Sequence, residues 1–170
     1  GQGTVGSEIL EQASRPVDVL VGPIGGGGLM SGISVYFREK SPHTRLIGTE
    51  PAGASSMQTS LEAGHVTELE NIETFVDGAA VKKPGKNTFF LLNKNIDQIV
   101  TVPEHRLCST MLEFLNADGI VTEPAGSLSV DALKDLRPEI EGKTVVCILS
   151  GSNLDFERLA EIKERSIKFE

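Results

Sequence analysis

Cysteine is scarce in this sequence, basic residues are outnumbered, and long apolar runs are missing. Each shortage excludes a class of protein. Cys108 and Cys147 are the two cysteines, and their separation fits neither a metal-binding nor a redox motif. Cys147 lies in an apolar run and reads as a small core residue. No stretch reaches the ~18 consecutive apolar residues of a membrane helix, and no signal-peptide pattern opens the chain. The expectation is a cytoplasmic protein with no membrane partner. Lys and Arg number 16 against 24 Asp and Glu, for a net charge of −8. Nucleic-acid binders are more often basic, so that class is set aside. An initiator Met is lacking as well. The chain opens Gly1-Gln2-Gly3-Thr4 and closes Ile167-Lys168-Phe169-Glu170, and both ends read as cuts in a longer protein.

What is present fits one globular domain of 170 residues, 39% of them hydrophobic, which is enough to bury a core. Internal repeats and low-complexity segments are absent. Short apolar runs predict strands at 17–21, 45–49, 99–102 and 145–149, with a brief extended piece at 120–122. Helices are expected from Thr4, as a cap, to about Ala13, and over 29–40, 55–63 (ended by Gly64), 89–93, 127–136 and 156–166. A longer helix follows Pro103, with Leu107, Met111, Phe114 and Leu115 as its core stripe. Residues 65–88 are irregular. Strands alternating with helices imply an α/β fold: three layers, a mostly parallel sheet with helices on both faces. Ligands of such sheets bind outside the carboxyl ends of the strands. Gly25-Gly26-Gly27-Gly28, Glu50 and Ser150 fall at such ends, and Glu123-Pro124 is a further candidate.

The four glycines demand an explanation, because glycine loses more freedom on ordering than any other residue. A strand, a glycine loop and a helix leave backbone N–H groups free at the helix amino end, where they and the helix dipole favour a phosphate. The nucleoside-triphosphate loop requires Gly-Lys-Ser/Thr, but Gly28 is followed by Leu29-Met30. The dinucleotide fingerprint fails in both registers, at Ser31 or at Met30. Glu50 stands where a ribose-binding acid would lie, so a non-catalytic dinucleotide-binding module remains the alternative. Ser150 can offer a hydroxyl to the crevice, whereas Ser152 and Asn153 read equally well as caps of the last helix. His43, His65 and His105 read as surface residues, and Glu68, Glu70 and Glu73 as a solvated stretch.

Taken together, Ile24-Gly25-Gly26-Gly27-Gly28-Leu29, Glu123-Pro124-Ala125-Gly126 and Leu149-Ser150-Gly151-Ser152-Asn153 resemble the pyridoxal-phosphate enzymes of the tryptophan-synthase β fold (fold type II). Within that group the likeness is to the threonine dehydratases (threonine deaminases). Gly1-Gln2-Gly3-Thr4, Asp77-Gly78-Ala79 and Glu164-Arg165-Ser166 agree with it, so the resemblance runs nearly end to end. It implies a lyase of isoleucine and branched-chain amino-acid biosynthesis. Such a lyase deaminates L-threonine, with L-serine as a further candidate, to a 2-oxo acid and ammonia, and works as a homo-oligomer, a dimer or tetramer. It also implies that the amides of Gly25, Gly26, Gly27, Gly28 and Leu29 hold the phosphate of pyridoxal 5'-phosphate. Ser150 then bonds the pyridine nitrogen, with Glu123 and Gly78 near the ring. A serine racemase-like enzyme of the same fold stays open.

The family's Schiff-base lysine and its Ser-x-Gly-Asn-His-like loop have no counterpart here. Lys40 belongs to a surface helix, and Lys82, Lys83 and Lys86 to a turn. The chain therefore reads as the C-terminal portion of the catalytic region, one domain over 1–170. Its N-terminal lysine-bearing part and any ACT-like regulatory domain are absent. No catalytic residue and no activity are expected of this chain alone. Relatives that bind a divalent cation use an acid at the Glu50 position and a second acid where Ser56 stands, so no tight metal site is expected.

Overall fold

Four short parallel strands carry the molecule. In the computed structural model, which describes residues 1–167, they are β1 (Val19–Pro23), β2 (Arg45–Pro51), β3 (Gln98–Val102) and β4 (Val145–Cys147). The order across the sheet is β3-β2-β1-β4. Val19 sits opposite Arg45 on one side and Val145 on the other, and Ile47 opposite Gln98. Lys168, Phe169 and Glu170, part of the chain end singled out in the sequence, lie outside the described residues.

Side chains alternate across a strand, so each strand feeds two cores. Val19, Val21, Ile47, Val100 and Val102 face one way. They meet α5 (Glu104–Glu113), α6 (Pro124–Asp131), α7 (Leu133–Ile140) and α8 (Arg158–Ile167) through Leu107, Leu128, Leu136 and Ile162. Leu20 and Leu46 face the other way. There they meet α1 (Gly3–Gln12), α2 (Gly28–Lys40), α3 (Ser56–Ala63) and α4 (Lys86–Asn95) through Ile9, Phe37, Met57 and Leu92. Full burial of one such side chain contributes about 1.5–3 kcal/mol, and the strands read as continuous apolar runs because both faces are covered. The expected three-layer parallel architecture is the observed one. Among the described residues no helix is long and apolar enough to cross a membrane.

Several element boundaries differ from expectation for local reasons. Thr4 is not the cap of α1. Gln2 is, and Thr4 lies inside the first turn with Oγ1 donating back to the Gly1 carbonyl at 2.9 Å. The first strand starts at Val19, because the Val17 carbonyl is taken by the Thr44 hydroxyl at 2.7 Å. β4 ends at Cys147, and one further bond from Ile148 N–H to the Val21 carbonyl precedes the turn outward to exposed Leu149. α4 is longer than 89–93. The helix expected over 127–136 starts earlier, with Pro124 in its first turn, and is divided at Ala132 into α6 and α7. After Pro103, α5 loosens into a π-helical turn, Phe114–Asp118, closed by left-handed Gly119. Phe114 and Leu115 are consequently half-buried and not core. Leu115 instead lines an apolar groove of about 370 Å³ with Met111, Ile120, Val121 and Phe156.

Two polar networks fix the elements that carry the site. Asp131 is fully buried at the end of α6. It accepts from Arg106 Nε at 2.6 Å and from the Thr110 hydroxyl at 2.7 Å. Arg106 also bonds Asp135, and Lys134 reaches Thr110 at 2.8 Å, so α5, α6 and α7 are tied together. The irregular segment before α4 is held by Phe75. Its ring lies beneath Arg158 and Arg165, 5.1 and 4.2 Å from the centroid, and its carbonyl accepts from Arg158 at 2.6 Å. That clamp places Gly78, three residues on, against the sheet ends.

Candidate functional site: a glycine-lined cavity at the sheet switch point

From β1 the chain moves outward to β2 and β3, and later returns to the opposite side of β1 as β4. The strand order thus reverses between β1 and β4, and their carboxyl ends open a crevice there. A cavity of about 200 Å³ fills it, lined by Pro23, Gly25, Gly26, Gly27, Gly28, Leu29, Gly78, Glu123, Ala125 and Ser150. Every residue assigned to the phosphate or the ring nitrogen in the sequence lies on this one cavity, as do Glu123 and Gly78.

The loop between β1 and α2 is shaped at Gly27, whose φ of +88° lies in the left-handed region. A Cβ there would sit 2.8 Å from Met57 Cε and 2.9 Å from Thr88 Cβ. Gly26 and Gly28 differ, since a Cβ on either meets nothing within 4 Å. The protein's own packing does not require glycine at these two positions, and their bareness leaves the cavity open to a ligand. The hydrogen-bond ladder of α2 begins with Ser31 N–H to the Gly27 carbonyl at 2.9 Å, so the amides ahead of it are left without partners inside the helix. Thr88 pins the loop from outside. Its hydroxyl donates to the Gly26 carbonyl at 2.6 Å, while its own carbonyl accepts from the Ser31 hydroxyl at 3.3 Å. Sequence reasoning missed Thr88, because no motif marks a residue that acts across 62 positions.

Two further motifs on the cavity wall interlock. Glu123 N–H donates to the Gly151 carbonyl at 2.6 Å, and the Glu123 carbonyl accepts from Gly126 N–H at 3.0 Å. A Cβ on Gly126 would overlap the Ser150 carbonyl, and one on Gly151 would overlap the Glu123 carboxylate. Ser150 Oγ donates to Glu123 Oε1 at 3.2 Å. Ser152 and Asn153 are exposed, do not line the cavity and do not cap α8, which starts at Arg158.

Glu50 also lies outside the cavity. Fully buried at the end of β2, it receives Met57 N–H on Oε1 and Gln58 N–H on Oε2, each at 2.8 Å. It caps α3, so the ribose-acid reading of Glu50 fails: both oxygens are already engaged. Nearby, the buried Ser56 hydroxyl has no partner, and among the described residues no group of His, Cys, Asp and Glu gathers into a metal cluster. Burial pushes the Glu50 carboxyl up from 4.5 to about 7, against the opposing pull of its two amide bonds.

A raised carboxyl pKa means that the folded chain holds the proton more tightly than the unfolded chain. Its stabilisation is complete below the unfolded value of 4.5 and is lost as pH rises to about 7. At about 1.4 kcal/mol per unit, stability should fall by roughly 2–3 kcal/mol between pH 5 and pH 8 through this group. Urea unfolding at the two pH values measures it. The fall should shrink by that amount in Glu50→Gln, and parallel profiles for the two proteins would refute the assignment.

The remaining candidates lie elsewhere. Burial lifts the Cys147 thiol to about 11 and the Cys108 thiol to about 12, so neither is a nucleophile near neutral pH. His43 and His65 are exposed and His105 is half-buried, and none lines the cavity. Lys40 pairs with Glu39, Lys83 pairs with Glu68, and Lys82 reaches the Glu70 carbonyl. No lysine is among the cavity's lining residues.

The family model described as "pyridoxal-phosphate dependent enzyme" matches residues 1–151. The biosynthetic L-threonine dehydratase IlvA of Halalkalibacterium halodurans is 51% identical over 170 residues, which is 100% of this chain and 41% of that protein. The processed form of threonine deaminase isoform 2 from Solanum lycopersicum superposes with a TM-score of 0.92 at 34% identity, over 98% of this chain and 49% of that one. Serine racemase from Dictyostelium discoideum superposes with a TM-score of 0.82 at 29% identity, over 92% and 50%. The chain therefore spans less than half the length of the curated relatives it matches.

Proposed function

This chain belongs to the pyridoxal-phosphate dependent enzymes, and from that premise we propose that it supplies the phosphate cradle and the ring-nitrogen contact of a threonine ammonia-lyase. The observation that carries the proposal is the single cavity shared by the glycine loop and Ser150. The residues fit the cofactor on three counts. Unpartnered amides and a helix amino end suit a dianionic phosphate. Bare Cα atoms at Gly26 and Gly28 let the backbone approach it. A hydroxyl on the same cavity, that of Ser150, suits a ring nitrogen.

In this reading the amides of Gly25, Gly26, Gly27, Gly28 and Leu29 hold the phosphate, and Thr88 keeps the loop in the shape that aims them. Ser150 faces the ring nitrogen. When bound, pyridoxal 5'-phosphate supplies the electron sink that lets L-threonine, or L-serine, lose its α-proton and β-hydroxyl on the way to a 2-oxo acid and ammonia. A neutral hydroxyl opposite the ring makes that sink weaker than a carboxylate would, which suits elimination. The lysine that anchors the cofactor comes from a part of the parent protein outside this chain, of which 1–170 is one domain. The parent is a cytoplasmic homo-oligomer.

The chain alone should show no turnover. Incubated with pyridoxal phosphate and L-threonine, it should form 2-oxobutanoate no faster than the free cofactor does. Sustained production above that background would overturn the division of labour proposed here.

A further inference from the structure

Asp77-Gly78-Ala79 and Glu164-Arg165-Ser166 stand out in the sequence, yet neither has a role in the phosphate cradle or the ring-nitrogen contact. The structure joins them through one aromatic ring. Arg158, Glu161 and Arg165 share a single face of α8, where neighbours lie three and four residues apart. Glu161 pairs with both arginines, at 4.0 and 2.9 Å. That face lies on the segment 73–77. Arg158 and Arg165 stand over the Phe75 ring, and Arg165 pairs with Glu73. Arg158 reaches Asp77 at 3.5 Å and the Phe75 carbonyl at 2.6 Å. Phe75 is buried in the core, 5% exposed, so its ring is a fixed seat for the helix.

Phe75 leads straight into the turn that borders the cavity. The Val76 carbonyl accepts Ala79 N–H at 2.9 Å and Ala80 N–H at 2.8 Å, and Asp77 Oδ1 accepts Gly78 N–H at 3.0 Å. A turn closed by three such bonds moves as one piece. It meets two of the cavity's motifs through bare Cα atoms. A Cβ on Gly25 would stand 3.0 Å from the Gly78 carbonyl and 3.1 Å from Ala79 Cα, and a Cβ on Gly78 would stand 3.0 Å from Ala125 Cβ. The glycine loop therefore rests on the turn. The turn rests in its own right on the 123–126 motif, which is interlocked with the Ser150 loop. Interiors packed this closely transmit a shift rather than absorb it. Where α8 holds Phe75 thus decides how far the phosphate loop stands from Ser150.

Resting on the cofactor reading of the cavity, we propose that α8 belongs to the cofactor site at one remove. Phe75, Arg158 and Arg165 are positioning residues. They hold the turn so that the span from the phosphate cradle to Ser150 fits the length of the cofactor, and none of the three lines the cavity itself.

The test compares two probes on the chain. Inorganic phosphate meets the cradle alone, and Thr88 holds that loop independently of α8. Pyridoxine 5'-phosphate, which has the ring and phosphate but no aldehyde, needs the cradle and Ser150 at the right separation. One cation–ring contact at a partly exposed site is worth a factor of about two to five. The Arg158 and Arg165 side chains are 25% and 30% exposed, so a double variant, Arg158→Gln with Arg165→Gln, keeps its fold. In 31P titrations its affinity for pyridoxine 5'-phosphate should fall by about tenfold, while its affinity for inorganic phosphate stays within about twofold of the parent chain. Phe75→Leu, which removes the ring and keeps an apolar side chain, should reproduce that selective loss. Equal losses for the two probes would reduce the clamp to general support of the fold, and unchanged affinity for pyridoxine 5'-phosphate would separate α8 from the site. Either result overturns the inference and leaves the cofactor site standing. Failure of the parent chain to bind pyridoxine 5'-phosphate would overturn the cofactor site, and the inference with it.

Discussion

Gly26→Val should fold like the parent chain and lose its affinity for phosphate by about a hundredfold or more. The two halves of that expectation have separate causes. Folding survives because a Cβ at Gly26 meets nothing within 4 Å, and the residue lies outside the left-handed region. The Gly26 carbonyl keeps its bond to Thr88, which a change of side chain leaves in place. Binding fails because the space around that Cβ is the cavity itself, about 200 Å³ in volume. A valine there stops a phosphate from reaching the amides. Each hydrogen bond to a charged group contributes about 1.5–3 kcal/mol, so losing two of them costs at least about 3 kcal/mol, or two decades in affinity. A 31P titration with inorganic phosphate reads the loss, and urea unfolding reads the unchanged stability. Gly27→Ala is the contrasting change. With φ of +88° and Met57 and Thr88 within 3 Å of the new Cβ, it should destabilise the loop itself. Parent-like phosphate binding by Gly26→Val would mean that the glycines serve the turn alone.

Asp131→Ala should cost about 3 kcal/mol of stability. The carboxylate is fully buried and gathers Arg106, Thr110 and Lys134 on two elements. Truncation leaves cations and a hydroxyl facing a void. Breaking a buried pair from one side typically costs 3–5 kcal/mol. The lower figure applies because Arg106 is partly exposed and keeps Asp135. Against a typical total of ~5–15 kcal/mol, that is a large share, and a shift in the urea midpoint at constant slope measures it. The effect should reach the cavity as well, because α6 carries Glu123 at its amino end. A loss under about 1 kcal/mol would show the network to be an ordinary surface ion pair.

The parts of the site that could be read from the sequence are those built from contiguous residues. Strand, glycine loop and helix form one unbroken segment, and 149–153 and 123–126 are motifs in themselves, so their chemistry shows before any fold is known. The parallel sheet was legible for a similar reason: both faces of each strand are covered, and the strands stand out as apolar runs.

What escaped was decided by contacts between distant segments. Thr88 reaches the loop from α4. The bond from Ser150 to Glu123 needs two loops side by side. Glu50 shows how strand position alone misleads. An acid at the end of a strand can point into the crevice or under the next helix, and the amides of Met57 and Gln58 drew it to the second place. The stripe after Pro103 looked like unbroken core because periodicity does not register a π-helical turn, and Leu115 lines an open groove instead.

The central claim is that the glycine loop and Ser150 form one cofactor site. Equilibrium titration of the chain with pyridoxal 5'-phosphate, run beside NAD and followed by 31P resonance, tests it most directly. The account predicts saturable, reversible binding of pyridoxal phosphate that inorganic phosphate competes away and Gly26→Val abolishes, with NAD binding far more weakly. Tighter binding of NAD, dependent on Glu50, or no binding of pyridoxal phosphate at all, would contradict it.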